Sequence, residues 1–158
     1  MYVGTCLFEA TNLNEGRGTD TPFHLVGAPW LDAGRVIATI PAGDREGCTL
    51  EEVQYVPKSI PGKASHPRHL GETCHGIRVH VTEPRRLRAF RLAVSLLVAI
   101  RGNHPREFKW NTADFFDTLA GTSDLRLRIQ REEPADAIVR TLESGLERFR
   151  TSAPRRYE

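Results

Sequence analysis

The chain has 158 residues, the usual size of one domain. Its 22 Lys+Arg against 20 Asp+Glu leave a formal charge of +2, too balanced for a nucleic-acid binder that works through bulk charge. At 39% hydrophobic and 27% charged the composition is that of a globular domain, which excludes a disordered or fibrous chain.

A domain of this size buries about 70% of its unfolded surface and needs no disulfide or metal staple to fold. Cys6, Cys48 and Cys74 cannot all pair within the chain, and with no CxxC a disulfide scaffold or zinc ribbon is not expected. The start, MYVGTCLFEA, has no basic stretch leading into a long apolar core, so no signal peptide is read there. The longest apolar run, Leu92 to Ile100 with Ser95 inside it, falls well short of the ~20 residues of a membrane span.

In chain order, Thr5 to Ala10 reads as a short apolar strand, followed by the polar, glycine-containing loop TNLNEGRGTDTPF. A loop this long and polar in a compact domain is functional or a terminal tail. A short helix is expected from about Leu31 to Ile40, closed by Pro41, then a turn over 42–48 and a strand from Thr49 to Val56. Residues 57–73, rich in proline, read as loop. CHGIRVHVT alternates, with His75, Ile77, Val79 and Val81 on one face and Gly76, Arg78 and His80 on the other, which predicts a strand. Thr82, Glu83 and Pro84 read as the start of a helix that runs to Arg101. It becomes apolar all round from Leu92, as a buried central helix would. EFKW at 107–110 reads as a short edge strand. Helices are then expected over Ala113–Ala120, closed by Gly121, from Ser123 or Asp124 to about Arg131, and from Pro134 onward. In the last, Ile138, Val139, Leu142, Leu146 and Phe149 form one stripe that should pack. The sum is one α+β domain over 1–158, with a small antiparallel sheet, a buried central helix and C-terminal helices.

Three groups of side chains invite chemistry. Glu9, Thr11, Asn12, Glu15, Arg17 and Thr19 fall in one short segment, with glycines on both sides of Arg17 that let the backbone approach a ligand. A guanidinium there is suited to grip a carboxylate, and the two glutamates suit acid/base work or simply hold Arg17. A self-satisfied polar loop fits the same spacing. His66, His69, Cys74, His75 and His80 crowd another stretch, but Cys74 and His75 point to opposite faces of a strand and no zinc template is present, so no metal is expected. Arg85, Arg86, Arg88 and Arg91 form a basic patch without interleaved aromatics, which reads first as a solvated face; a nucleic-acid binder through Arg85 to Arg91 is a third, weaker reading, and no nucleic-acid partner is expected.

The segment FEATNLNEGRGTDTPFHLVGAPWLD closely resembles the FEGTNxSxGRGTxxPFxxxGAPWxD signature of the NamZ-type exo-β-N-acetylmuramidases. CHGIRVHVTE is similar to the family's CxGVxxxVTD strand, and FKWNTADFFDTLAGTSDLR to its FxW…FDxLxGTxxLR segment. RIQREEPADAIVRTLESGLERFR resembles its last helices, so the likeness covers about Gly4 to Arg150. Departures are Ala10 for glycine, Asn14 for serine, Leu142 for tryptophan, an altered loop around Ser59–His69, and a C-terminal TSAPRRYE in place of an apolar tail.

The resemblance implies the C-terminal lobe of a two-lobed peptidoglycan hydrolase whose Rossmann-like first lobe, expected to carry the catalytic acid, is absent from this chain. It implies N-acetylmuramic acid or a muropeptide as ligand, the first lobe or a homologous partner, no cofactor, and an envelope or periplasmic setting. The chain is expected to be inactive alone. The Glu9–Thr19 loop would line the cleft, Arg17 would take the lactyl carboxylate, and Phe8, Phe23, Leu25 and Trp30 are the expected lobe interface. The alternative from another class is a stand-alone, non-catalytic glycan-binding or protein-interaction module.

Overall fold

A computed structural model describes residues 1–152; residues 153–158, most of the TSAPRRYE tail, lie outside the described residues. The chain opens with a helical turn, α1 (Tyr2–Thr5), that passes into a 3-10 turn, Cys6–Ala10. This corrects the strand expected over Thr5–Ala10. Leu7, Phe8 and Ala10 are all buried, and a short apolar run without alternation does not separate strand from helix.

The sheet has three antiparallel strands in the order β1 (Leu25–Ala28), β3 (Cys74–Val81), β2 (Cys48–Tyr55). Leu25 pairs with Arg78, and Cys48 with Val81. The alternating segment is thus the central strand, with Ile77 and Val79 buried toward the core. On its other face the Tyr55 ring lies over Gly76, where a Cβ would come within 2.7 Å of Cε1. β1 has no alternation because all four of its residues are buried, and sequence reading passed over it.

Between the strands stand α2 (Ala33–Thr39), capped by the Asp32 side chain, and a 3-10 turn, Ala42–Arg45. The central helix α3 (Ala89–Asn103) buries Leu92 through Leu97 and Ile100, as its all-round apolarity predicts. It starts seven residues later than Thr82, because Gly47 carbonyl oxygen accepts the Thr82 and Glu83 amides at 2.9 and 3.1 Å and ties that segment to β2 instead. Glu83 carbonyl oxygen then accepts from Arg86 and Leu87, closing a turn. α1 crosses α3 at Gly4, where a Cβ would lie 2.2 Å from the Ala89 oxygen. No side chain fits there.

The edge strand expected over EFKW reduces to one bridge, Trp110 with Thr11. Helices α4 (Ala113–Ala120), α5 (Asp124–Gln130) and α6 (Ala135–Ser152) follow where turn and cap residues place them, and Gly121 ends α4 at φ 73°. The α6 stripe is buried only through its first half. Ile138 and Val139 are buried and Leu142 touches the core, but Leu146 and Phe149 are 49% and 66% exposed. Among the described residues no helix is long and apolar enough to cross a membrane.

Candidate functional site

The loop between the first 3-10 turn and β1 is fastened rather than free. Asn14 and Gly27 exchange backbone hydrogen bonds at 2.7 and 2.9 Å, which sews the loop to β1. The buried Asn14 side chain completes the anchor. Its Nδ2 donates to the carbonyls of Arg17 and Arg68, and its Oδ1 accepts from the Gly16 amide and the Tyr55 hydroxyl. Burial pushes the Tyr55 phenol up, so it stays a neutral donor. Gly16 and Gly18 both adopt φ 83°, a left-handed backbone that glycine enters without penalty, and they raise Arg17 between them.

Arg17 sits between two carboxylates, with Nη2 3.0 Å from Glu9 and Nε 3.0 Å from Glu15. Its guanidinium carbon lies 5.0 Å from the centroid of the Phe23 ring. Glu15 is buried, and desolvation pushes its carboxyl above the usual range although a backbone hydrogen bond and Arg17 oppose the shift. Glu9 and Arg17 stay partly open, their side chains 21% and 40% exposed.

Phe23 carries a left-handed backbone, φ 65°, uncommon outside glycine. Its amide donates to Glu15 oxygen at 2.7 Å, its carbonyl accepts from Thr5 Oγ1 at 2.9 Å, and Tyr2 meets its ring edge to face at 4.6 Å. Such a conformation costs on the order of 1–3 kcal/mol and persists only where the surroundings hold it.

The six candidates of the sequence therefore divide. Glu9, Glu15 and Arg17 come together in one ion-paired group. Thr11, Asn12 and Thr19 engage their side chains in holding the loop: Thr11 Oγ1 donates to Phe8 oxygen, Thr19 Oγ1 to Gly16 oxygen, and Asn12 clasps Glu107 oxygen and the Lys109 amide. Sequence reasoning left out Asn14, Tyr55, Lys63 and Arg78 as site residues. Asn14 had stood out only as a departure from serine, and the others lie in loops or strands far along the chain.

Two grooves flank Gly18–Asp20. One, of about 580 Å³, is lined by Arg17, Phe23, Ile60 and Lys63 with Asp20 at its wall. The other, of about 910 Å³, runs along β3 past Tyr55, Lys58, Ile60, Arg78 and His80. Gly18, Thr19, Asp20 and Ile60 belong to both, so the grooves adjoin.

The remaining clusters resolve differently. The histidines diverge: His69 contacts the Asn12 carbonyl oxygen at 2.9 Å and His80 the Glu51 carboxylate at 2.6 Å. Among the described residues no group of three or more His, Cys, Asp or Glu side chains is placed to hold a metal ion. The basic patch is broken up by acids, Arg86 facing Glu46 and Glu83, Arg88 facing Glu143, and Arg91 drawn inward to Asp44 and Asp136. The expected apolar patch is corrected as well. Phe8 and Leu25 are buried and Phe23 and Trp30 only partly open, while Tyr2, Val3 and Leu146 stand exposed instead.

Comparison with known proteins gives these arrangements a context. The chain is 30% identical over 149 residues to the peptidoglycan beta-N-acetylmuramidase NamZ of Bacillus subtilis (strain 168), a match covering 94% of this chain and 34% of that protein. It therefore spans about a third of the length of that curated relative. A solved DUF1343 family protein of Bacteroides fragilis NCTC 9343 shares the fold with a TM-score of 0.78 at 15% identity, over 95% of this chain and 39% of that one. A second from the same organism gives 0.65 at 26% identity, over 95% and 37%. The family model described as "Exo-beta-N-acetylmuramidase NamZ, C-terminal" matches residues 1–157. The chain belongs to the family of NamZ C-terminal domains.

Proposed function

We propose that this chain supplies the C-terminal wall of the substrate cleft in a peptidoglycan exo-β-N-acetylmuramidase, recognises the lactyl-bearing sugar, and leaves the catalytic acid to a first lobe. The observation that carries the reading is Arg17, lifted between two left-handed glycines into a groove that also presents Lys63 and the Phe23 ring. N-acetylmuramic acid differs from N-acetylglucosamine by one lactyl ether, and its carboxyl oxygens are natural acceptors for a guanidinium edge beside an ammonium. Nε and one Nη of Arg17 are engaged by Glu15 and Glu9, so the sugar meets the remaining edge together with Lys63.

The same geometry argues against hydrolysis by this chain alone. Glycosidases ordinarily set two carboxyl groups across the scissile bond. Here both glutamates of the loop are ion-paired to one guanidinium, and Glu15 is buried. A first lobe has a surface to meet in Tyr2 and Val3, 58% and 75% exposed, with Tyr2 against Phe23 at the edge of the site.

Calorimetric titration with N-acetylmuramic acid and N-acetylglucosamine tests this. Binding of the first without the second is expected, with a loss of about tenfold or more, some 1.4 kcal/mol, in Arg17→Ala and Lys63→Gln. Lys63 is exposed, so its loss cannot act by unfolding the loop. Arg131→Ala, at an exposed position at the end of α5, should change nothing. Equal affinity for the two sugars overturns the reading. Release of N-acetylmuramic acid from glycan fragments is expected only after a first lobe from a relative is added. Lack of release even then, with sugar binding intact, favours a stand-alone glycan-binding module.

A further inference from the structure

Independently of the reading just given, we infer that the second half of α6 is the contact face of a two-fold dimer, in which α6 of a second copy of this chain lies antiparallel in the groove between α6, α1 and the start of α3.

The groove has a volume of about 720 Å³, and Val3, Phe90, Leu142 and Leu146 give it an apolar lining. It opens where the α6 stripe leaves the core: Val139 is 2% exposed, Leu146 49%. A stripe that keeps its helical spacing past the end of its own core presents an apolar face to something else. Tyr2, against Phe23 at the edge of the Arg17 site, does not line this groove, so a second copy seated in it leaves that edge open.

The charges on the same face select the partner. Glu143, Glu147 and Arg150 line the groove together with Leu142 and Leu146. Their in-chain contacts are long, Arg88 to Glu143 at 3.8 Å and Arg150 to Glu147 at 3.7 Å, and all four side chains are more than half exposed. Pairs of this kind are worth little in water and exchange readily for others. A two-fold contact needs a face that complements itself. With the axis between Leu146 and Glu147, antiparallel pairing brings the two Leu146 side chains together across the axis. Glu143 of each copy then stands at the same height as Arg150 of the other, so one ion pair forms twice. Parallel pairing would set Glu143 against Glu143 and Arg150 against Arg150. A uniformly acidic or basic partner would oppose one of the two signs in any register. One helix face with Val3 and Phe90 beside it makes an interface at the small end of the specific range, so a dissociation constant on the order of 10–100 µM is expected.

Sedimentation equilibrium of the chain as it is, from about 1 µM to about 1 mM, tests this by following the passage from monomer to dimer. Leu146→Asp, at a half-exposed side chain, should raise the dissociation constant about tenfold or more. Glu143→Arg and Arg150→Glu each set like charges together at both ends of the helix pair and should do the same. Mixed in equal amounts, these two charge variants should associate with each other about as tightly as the parent does with itself, because one then presents two arginines to two glutamates of the other. Loss of an in-chain pair or of the fold is not rescued by mixing. A parent that stays monomeric to about 1 mM overturns the proposal. If an added first lobe then binds the parent but not Leu146→Asp, the groove belongs to that lobe instead. A dimer that survives all three substitutions overturns this face, and charge variants that fail to rescue each other overturn the antiparallel pairing.

Discussion

Arg17 and Arg91 are built alike and placed to opposite ends. Each guanidinium uses Nε and Nη2 to bridge two carboxylates: Glu15 and Glu9 in one case, Asp44 and Asp136 in the other. The carboxylates of Arg91 come from positions 45 or more residues away in sequence. Ser95 Oγ donates to the second oxygen of Asp44 at 2.5 Å, and Asp44 itself is buried. This group therefore cross-links the 3-10 turn before β2, the central helix and α6. The partners of Arg17 lie eight residues before it and two before it, so it cross-links only its own loop. Its side chain is 40% exposed against 18% for Arg91. Pairing with two acids does not by itself mark a site; what the guanidinium still shows to a groove does.

The largest expected consequence is in stability. Arg91→Ala leaves the Asp44 carboxylate buried without its cation and should cost about 3–5 kcal/mol. Arg17→Ala, at a half-open position, should cost about 1 kcal/mol while removing ligand binding. Urea denaturation of the two variants measures both losses. Equal losses would mean that Arg17 is a strut of the same kind, and its assignment to ligand would fall.

Next in size is Asn14, the buried amide that anchors the Arg17 loop. Asn14→Ala removes the side-chain partner of the Arg17 and Arg68 carbonyls and of the Gly16 amide at once, and leaves the Tyr55 hydroxyl with the longer contact to the Asn14 carbonyl oxygen at 3.4 Å. A loss of about 2–3 kcal/mol is expected, with sugar binding weakened through displacement of Arg17. A variant that kept full stability would show that the backbone bonds to β1 and the Thr11, Asn12 and Thr19 side chains hold the loop without Asn14.

How much of this the sequence disclosed follows the range of the interactions. Elements with local punctuation were legible: Pro41 follows α2, Gly121 closes α4, Pro134 precedes α6, and β3 alternates. The failures are positions where a distant segment decided. Thr82 looks like a helix start, but Gly47 takes its amide. Leu25–Ala28 lacks alternation because both its faces are covered. Arg91 sat in a run of arginines that read as a solvated face, and nothing near it in sequence announces Asp44. The site divides the same way. Glu9, Glu15 and Arg17 lie within nine residues and were grouped from spacing, whereas Lys63 and Arg78 reach the grooves through the fold.

The smallest effect is also the one that separates the two arginine groups by sign. Burial raises the Glu15 carboxyl, so between the ordinary glutamate range and the raised value the folded chain holds a proton that the unfolded chain has released. Glu15 therefore lowers stability as pH rises through that window. Asp136 is shifted the other way, held below the usual aspartate range first by the hydrogen bond from Arg91. Its contribution is present above the ordinary aspartate value and is lost as pH falls toward the depressed one. Glu15→Gln should thus raise the melting temperature at neutral pH relative to the parent and close the gap as pH falls to about 4, where the parent's glutamate is protonated too. Asp136→Asn should do the reverse, lowering it at neutral pH and converging with the parent only in stronger acid. If Glu15→Gln instead destabilised at neutral pH, the attraction to Arg17 would outweigh desolvation, and the Arg17 group would behave electrostatically as a second copy of the Arg91 strut.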